Sequence, residues 1–184
     1  LTPSAIFYPL YGTRERLFAI AHENNFIPNY HTVPTQVWQR CQLLYLCSPN
    51  NPTGVVLDLK TLMELIELAQ RFDFVIAADE CYSEIYFNED NPPLSLLQAA
   101  IQAGLNDFRH CLVFHSLSKR SNVPRLRSGF VAGDSHIIQQ FLCYRTYHDC
   151  AMSPLVQTTS IAAWGDEQHV IENCQIYQEN LLPC

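Results

Sequence analysis

Lysine is nearly missing from this sequence. Only Lys60 and Lys119 occur in 184 residues, so chemistry that needs an amine side chain has two candidates. No apolar run approaches the roughly 18 residues at which a membrane helix becomes the natural reading, so no membrane partner is expected. The start, LTPSAIFYPLYGTRE, has neither the basic opening nor the continuous apolar centre of a secretory signal. Basic clusters are missing too. Eleven Lys and Arg stand against 18 Asp and Glu, a net charge of −7. That excludes the basic face a nucleic-acid-binding protein uses and leaves mild acidity as a source of solubility. The eight cysteines show no metal-ligand spacing such as C-x-x-C, so no metal site is expected. Cys41, Cys47, Cys81, Cys111 and Cys143 lie in or beside apolar segments. A secreted disulfide framework is one reading of eight cysteines. With 48% hydrophobic residues the chain has ample core without such staples, so the other reading is adopted: reduced cysteines acting as small hydrophobes in a cytoplasmic protein.

What is present is an alternation of short apolar runs and amphipathic segments. LLYLC (43–47), FVIAA (74–78), CLVF (111–114) and the run from Gly129 to Ala132 read as strands. Between them, Asp58 to Phe72 and Leu94 to Ala103 read as helices, the second closed by Gly104. Gly12 to Glu15 opens another helical pattern with Leu17, Phe18 and Ala21 on one side. Residues 24–39 read as a loop with a short helical turn near Gln36. Ser135 is expected to cap a helix that buries Ile137, Ile138, Phe141 and Leu142. After a break at Ser153-Pro154 a helix runs to Trp164, and Asp166 begins a last one with Val170, Cys174, Tyr177 and Leu181 on one side. This alternation predicts an α/β fold, three layers α/β/α around a mostly parallel sheet. In such folds ligands gather at the C-terminal ends of the strands.

Three of those strand ends carry chemistry. The first leads into Ser48-Pro49-Asn50-Asn51-Pro52-Thr53-Gly54, a sharply defined turn. The second ends in Asp79-Glu80-Cys81-Tyr82; an acid placed straight after an apolar strand is costly unless something cationic meets it, although helix capping accounts for many such acids. The third opens into His115-Ser116-Leu117-Ser118-Lys119, a loop followed by Arg125 and Arg127. Lys60 falls on the polar side of its helix and reads as a solvated charge. Lys119, held at a strand end and desolvated, would be the nucleophilic amine. If the three ends converge, Lys119 would offer an amine, Asp79 a buried negative charge, Asn51 and Tyr82 hydrogen bonds, and Ser116 and Arg127 a phosphate grip. That set suits pyridoxal 5'-phosphate (PLP), whose ring is an electron sink. Gly12-Thr13 before a helix is a further possible anion turn, with a plain N-cap as the simpler reading.

SPNNPTG, AADECYSEIYF and HSLSKRSN with RLRSGF are similar to the signature motifs of fold-type I, class I PLP-dependent aminotransferases. The likeness runs from about Asn24 to the end of the chain. Within that family AADECYSEIYF, HSLSKRSNVP, SGFVAGD and RTYHDCAMSP most resemble the succinyldiaminopimelate aminotransferases of bacterial lysine biosynthesis. The resemblance implies that Lys119 condenses with the cofactor aldehyde and later carries the substrate proton. It implies that Asp79 keeps the ring nitrogen protonated and that Asn51 and Tyr82 hold the ring oxygen. Ser116, Arg127 and the Gly12-Thr13 turn would anchor the phosphate. It also implies glutamate as amino donor, a keto acid acceptor such as N-succinyl-2-amino-6-ketopimelate, and a homodimer in which residues 145–152 approach the neighbouring site.

The chain departs from that pattern in ways that shape the expectations. Residues 1–165 would be a PLP-binding large domain with an apparent internal deletion near 21–24, and 166–184 the start of a helix leading to a small C-terminal domain that is absent. Alternatively Phe7-Tyr8-Pro9-Leu10-Tyr11 is a remnant of the missing stretch and Gly12-Thr13 is coincidental. Arg125 stands where the family has glycine, which would strain the loop if that position needs a positive φ. Two functional classes follow: a PLP-dependent transaminase, or an aminotransferase-like module that binds PLP without turnover.

Overall fold

The computed structural model describes residues 5–8, 16–17, 26–88, 90–148 and 151–181. Among the described residues, six strands form one sheet in the order β2 (Arg16–Leu17), β1 (Ala5–Tyr8), β3 (Leu43–Cys47), β4 (Val75–Asp79), β5 (Cys111–Ser116) and β6 (Gly129–Gly133). β3, β4 and β5 are parallel, in a register that runs from Leu43↔Val75 to Cys47↔Asp79 and from Ile76↔Cys111 to Asp79↔Phe114. β1 lies antiparallel on β3, and β6 antiparallel on β5. The α/β class therefore holds, and its parallel character resides in the three central strands, whose tips carry the candidate chemistry.

One face of the sheet is covered. Leu44 and Leu46, Ile76 and Ala78, and Cys111 and Val113 occupy alternate positions in register, so they line up on a single face. Over them lies α2 (Leu59–Phe72), which buries Leu62, Leu65, Ile66 and Ala69 at helical spacing. The helix begins where Asp58 Oδ1 accepts the Thr61 N–H at 2.8 Å and ends at Asp73, which turns left-handed at φ 57°. α3 (Leu96–Gln102) sits beside it. Ser95 and Gln98 form a reciprocal capping box at its start, and Gly104 (φ 81°) follows its end. α1 (Thr35–Trp38) adds Trp38, stacked on Phe74 at 5.6 Å. Each fully buried Leu or Ile in this layer contributes roughly 1.5–3 kcal/mol.

Beyond the central strands come α4 (Leu117–Arg120), α5 (Ser135–Thr146), α6 (Pro154–Gly165) and α7 (Gln168–Leu181). Gly129 cannot carry a side chain: a Cβ there would lie 2.4 Å from the His115 carbonyl oxygen. Among the described residues, no helix is long and apolar enough to cross a membrane.

Three local expectations are corrected. Arg16 and Leu17, expected within a helix, pair with β1 as Ile6↔Leu17 and Phe7↔Arg16; strand partners outweigh a short helical pattern. The cap of α5 is Asp134, not Ser135: its Oδ1 accepts from the His136 and Ile137 N–H groups at 2.9 and 3.2 Å. And α5 buries none of its apolar stripe. Ile137, Ile138 and Phe141 are half-buried and Leu142 is 64% exposed. Apolar spacing identifies the face a helix would bury, but it does not supply the surface to bury it against.

Candidate active site

The turn after β3 holds itself together. Asn50 Oδ1 accepts from Thr53 Oγ1 at 2.8 Å, the Gly54 N–H donates to the Asn50 carbonyl at 2.7 Å with Gly54 at φ 72°, and Ser48 Oγ accepts the Leu57 N–H at 3.0 Å. Both X-Pro bonds, Ser48-Pro49 and Asn51-Pro52, are cis. Asn50 is buried within the turn, which leaves Asn51 facing outward. Asn51 Nδ2 donates to the phenolic oxygen of Tyr82 at 3.0 Å, a contact between residues 31 positions apart that joins the first strand tip to the second.

At the end of β4 the chain presents two carboxylates to opposite faces. Asp79 shares its face with its register partners Cys47 and Phe114 and is exposed. Its Oδ1 accepts the Cys81 N–H at 3.0 Å, and the Cys81 thiol also meets this carboxylate. The buried charge expected at Asp79 is therefore absent from that position. Glu80, 3% exposed, is the acid that the fold encloses. Its Oε1 accepts from the Leu96 N–H at 2.8 Å and from Ser95 Oγ at 3.2 Å, at the start of α3. Its Oε2 lies 3.2 Å from His115 Nε2, an electrostatic contact without good hydrogen-bond alignment. The alternation of side chains along a strand sends consecutive residues to opposite sides, so the acid next to Asp79 takes the burial. Cys81 lies just beyond. Its thiol is pushed up to about 12 by desolvation first, then by its hydrogen bond to Asp79 and that carboxylate's charge, with Lys119 acting in the opposite sense. Cys81 thus feels both Asp79 and Lys119.

The third tip is not a loop. β5 continues through His115 and Ser116, and Ser116 then caps a single helical turn, α4, with its Oγ accepting the Ser118 N–H at 3.1 Å. Lys119 is the third residue of that turn. It is half-buried rather than fully desolvated, between the buried side chains of Leu117 and Arg120. Lys119 Nζ lies 5.3 Å from the centre of the Tyr82 ring. Ser116 Oγ donates to the Ser128 carbonyl at 3.3 Å and makes a 2.8 Å hydrogen bond with Ser118 Oγ. Arg127, which immediately precedes Ser128, is exposed and donates to the Pro124 carbonyl at 3.1 Å. Arg125 does not need a positive φ: it sits inside a 3-10 turn, Pro124–Leu126, and the left-handed residue here is Arg127, at φ 51°. A non-glycine residue in the left-handed region carries a modest strain.

The structure thus brings Asn51, Tyr82 and Lys119 together, with Asp79 at the end of the strand that leads into Tyr82, and joins Ser116 to the strand that follows Arg127. Gly12 and Thr13 lie outside the described residues. Ser118 was missed by sequence reasoning. Its signal was its place two residues from Ser116 in the same S-L-S-K run, which in a capping turn brings the two hydroxyls together. Lys60 is solvent-exposed and lies 3.9 Å from Glu64 Oε1 one turn along α2. Six cysteines, Cys41, Cys47, Cys81, Cys111, Cys143 and Cys174, are free thiols, with Cys143 exposed.

The profile of the aminotransferase class I and II family matches residues 10–181. The chain belongs to that family, whose members depend on PLP. Among curated proteins it is 32% identical over 166 residues to an LL-diaminopimelate aminotransferase of Nitratidesulfovibrio vulgaris, a match covering 86% of this chain and 42% of that one. A second, from Dehalococcoides mccartyi, is 32% identical over 93% of this chain and 45% of that protein. Among solved structures, an aminotransferase from Helicobacter pylori superposes with a TM-score of 0.85 at 43% identity, over 90% of this chain and 43% of the other. An aminotransferase from Neisseria meningitidis gives 0.80 at 56% identity, over 84% and 39%. A probable N-succinyldiaminopimelate aminotransferase from Thermus thermophilus, at 23% identity and a TM-score of 0.81, shares the fold. The chain spans less than half the length of each of these relatives.

Proposed function

We propose that this chain is the PLP-binding part of a transaminase that moves an amino group between an amino acid and a keto acid. The observation that carries the reading is the meeting of Lys119 Nζ, the Tyr82 ring 5.3 Å from it and Asn51 on the Tyr82 hydroxyl, at strand tips that also bear Asp79. The residues fit PLP. The exposed Asp79 carboxylate suits a protonated ring nitrogen, and the Ser116 and Ser118 hydroxyls with Arg127 suit a phosphate. When bound, PLP supplies an electron sink for charge that develops at the substrate α-carbon.

In this reading each side chain has one task. Lys119 holds the cofactor through its amine and, once displaced by substrate, carries the proton at the α-carbon. Asp79 keeps a proton at the ring nitrogen. Asn51 and Tyr82 fix the ring oxygen. Glutamate is the proposed donor. A diaminopimelate-type compound, N-succinyl-2-amino-6-ketopimelate among them, is the proposed partner substrate; the names of the LL-diaminopimelate aminotransferase relatives support it. We further propose that residues 1–165 form the large domain and 166–184 lead out of it, that Gly12-Thr13 joins the phosphate grip, and that the working form is a cytoplasmic homodimer with residues 145–152 at the partner's site.

Two measurements test the proposal. Borohydride added to the protein with PLP should fix the cofactor on the peptide containing Lys119, and Lys119→Ala should abolish that linkage; linkage that persists in the variant refutes the assignment. Added glutamate should then convert bound PLP to its amine form. Retention of PLP without conversion would identify a binding module that does not turn over.

A further inference from the structure

A polar stripe along α7 meets the far end of the turn that carries Lys119. His169, Asn173 and Tyr177 are spaced four residues apart and so lie along one side of the helix. Asn173, 9% exposed, donates through Nδ2 to the carbonyl oxygens of Lys119 at 3.1 Å and Arg120 at 3.2 Å. Its Oδ1 accepts from Asn122 Nδ2. Tyr177 donates its hydroxyl hydrogen to Asn122 Oδ1 at 3.0 Å, and His169 Nε2 lies 2.8 Å from Ser121 Oγ. Every residue from 119 to 122 is therefore engaged by this stripe, through backbone or side chain.

The turn needs such support. A helix of four residues has the full nucleation cost and almost no propagation to offset it, and its last carbonyls have no partner within the helix. Asn122, just past its end, holds a left-handed φ of 53°. Arg120 is separately anchored: it donates to the Ala163 carbonyl at 3.1 Å and lies over the Trp164 ring at 5.2 Å. The backbone of Lys119 itself is held from outside the turn by Asn173.

We infer that Asn173 is a positioning residue for Lys119: by fixing the carbonyls of residues 119 and 120 it aims the amine at the Tyr82 side of the site. The inference rests on the PLP reading above. Two probes separate it from a merely structural role. PLP condenses with the Lys119 amine, forming a C=N bond and releasing water, and borohydride quenching times that step by reducing the bond. Pyridoxamine 5'-phosphate, which has no aldehyde, reports binding alone.

Asn173→Ala should slow condensation about tenfold, because the carbonyls of Lys119 and Arg120 lose their donor, while pyridoxamine 5'-phosphate affinity stays within about twofold. Asn173→Gln, which keeps the amide, should recover most of the rate. Tyr177→Phe removes only the bond that steadies Asn122 and should slow condensation about threefold; it stands in if Asn173→Ala does not fold. Condensation at the unaltered rate in the foldable variant overturns the inference, as does an equal loss of condensation and of pyridoxamine 5'-phosphate binding. If linkage survives Lys119→Ala, both the PLP reading and this inference fail; if Lys119→Ala abolishes it and the α7 variants react normally, only this inference fails.

Discussion

Asp79 and Glu80 are neighbours in sequence and have opposite fates. Asp79 faces the side of the β4 tip away from Ile76 and Ala78, where its carboxylate is exposed and accepts the Cys81 N–H. Glu80 faces the covered side and gives both oxygens to the fold, one to the start of α3 and one toward His115. The difference comes from a single strand step. It teaches that a buried acid at a strand tip is not by itself a sign of chemistry: here the acid left available is the candidate reagent, and the enclosed one is structural.

Glu80→Ala is the sharpest way to break this comparison. It strips the Leu96 N–H, Ser95 and His115 of a buried charged partner at once, and should lower the unfolding free energy by about 3 kcal/mol, measured in urea without cofactor. Asp79→Asn should do the reverse. Stability without cofactor should change by no more than about 0.5 kcal/mol, while PLP affinity falls roughly tenfold through loss of a charge-assisted hydrogen bond. Equal stability losses in the two variants would dissolve the division between them.

Asp134 sharpens the comparison with a third acid. Burial works to raise its carboxyl, but the backbone N–H groups of His110, Ile137 and His136 hold it below the usual carboxylate range. A lowered folded value means its stabilisation is present above the ordinary carboxylate value and is lost as pH falls through the lowered one. Asp134→Ala should cost about 1 kcal/mol near neutrality, and urea unfolding should show that deficit shrinking as pH drops through that window. The smallest effect is expected at the exposed Leu142. Leu142→Ser should shift stability by less than about 0.5 kcal/mol, against roughly 3 kcal/mol for Leu65→Ala in the covered layer.

Much of the site was legible because its residues lie at the ends of apolar runs. The run at 43–47 predicted a strand and the turn bearing Asn51; the run at 74–78 led to Asp79 and Tyr82; the run at 111–114 led to Ser116 and Lys119. What could not be read was which side of the sheet each tip would face. Hence burial was assigned to Asp79 rather than Glu80, and the Lys119 segment was read as a loop although it closes a helical turn capped by Ser116. Ser118 passed unnoticed for the same reason: its hydroxyl becomes relevant only when that turn brings it against Ser116. The stripe on α7 was equally hidden. The apolar residues Val170 and Cys174 marked the buried side of that helix, but nothing local says that Asn173 lies beside them, under Lys119.

By itself the order of residues determined the central strands and the helix α2 between two of them, since capping, spacing and turn chemistry act over a few positions. It also singled out Lys119 as the candidate amine, because Lys60 falls on a solvated helical face. Tertiary structure alone decided the pairing of β6 antiparallel to β5, the enclosure of Glu80, the exposure of α5 and the grip of α7 on Lys119. Each of these depends on which distant surface arrives to desolvate a group or meet its hydrogen bonds, and sequence spacing carries no record of that arrival.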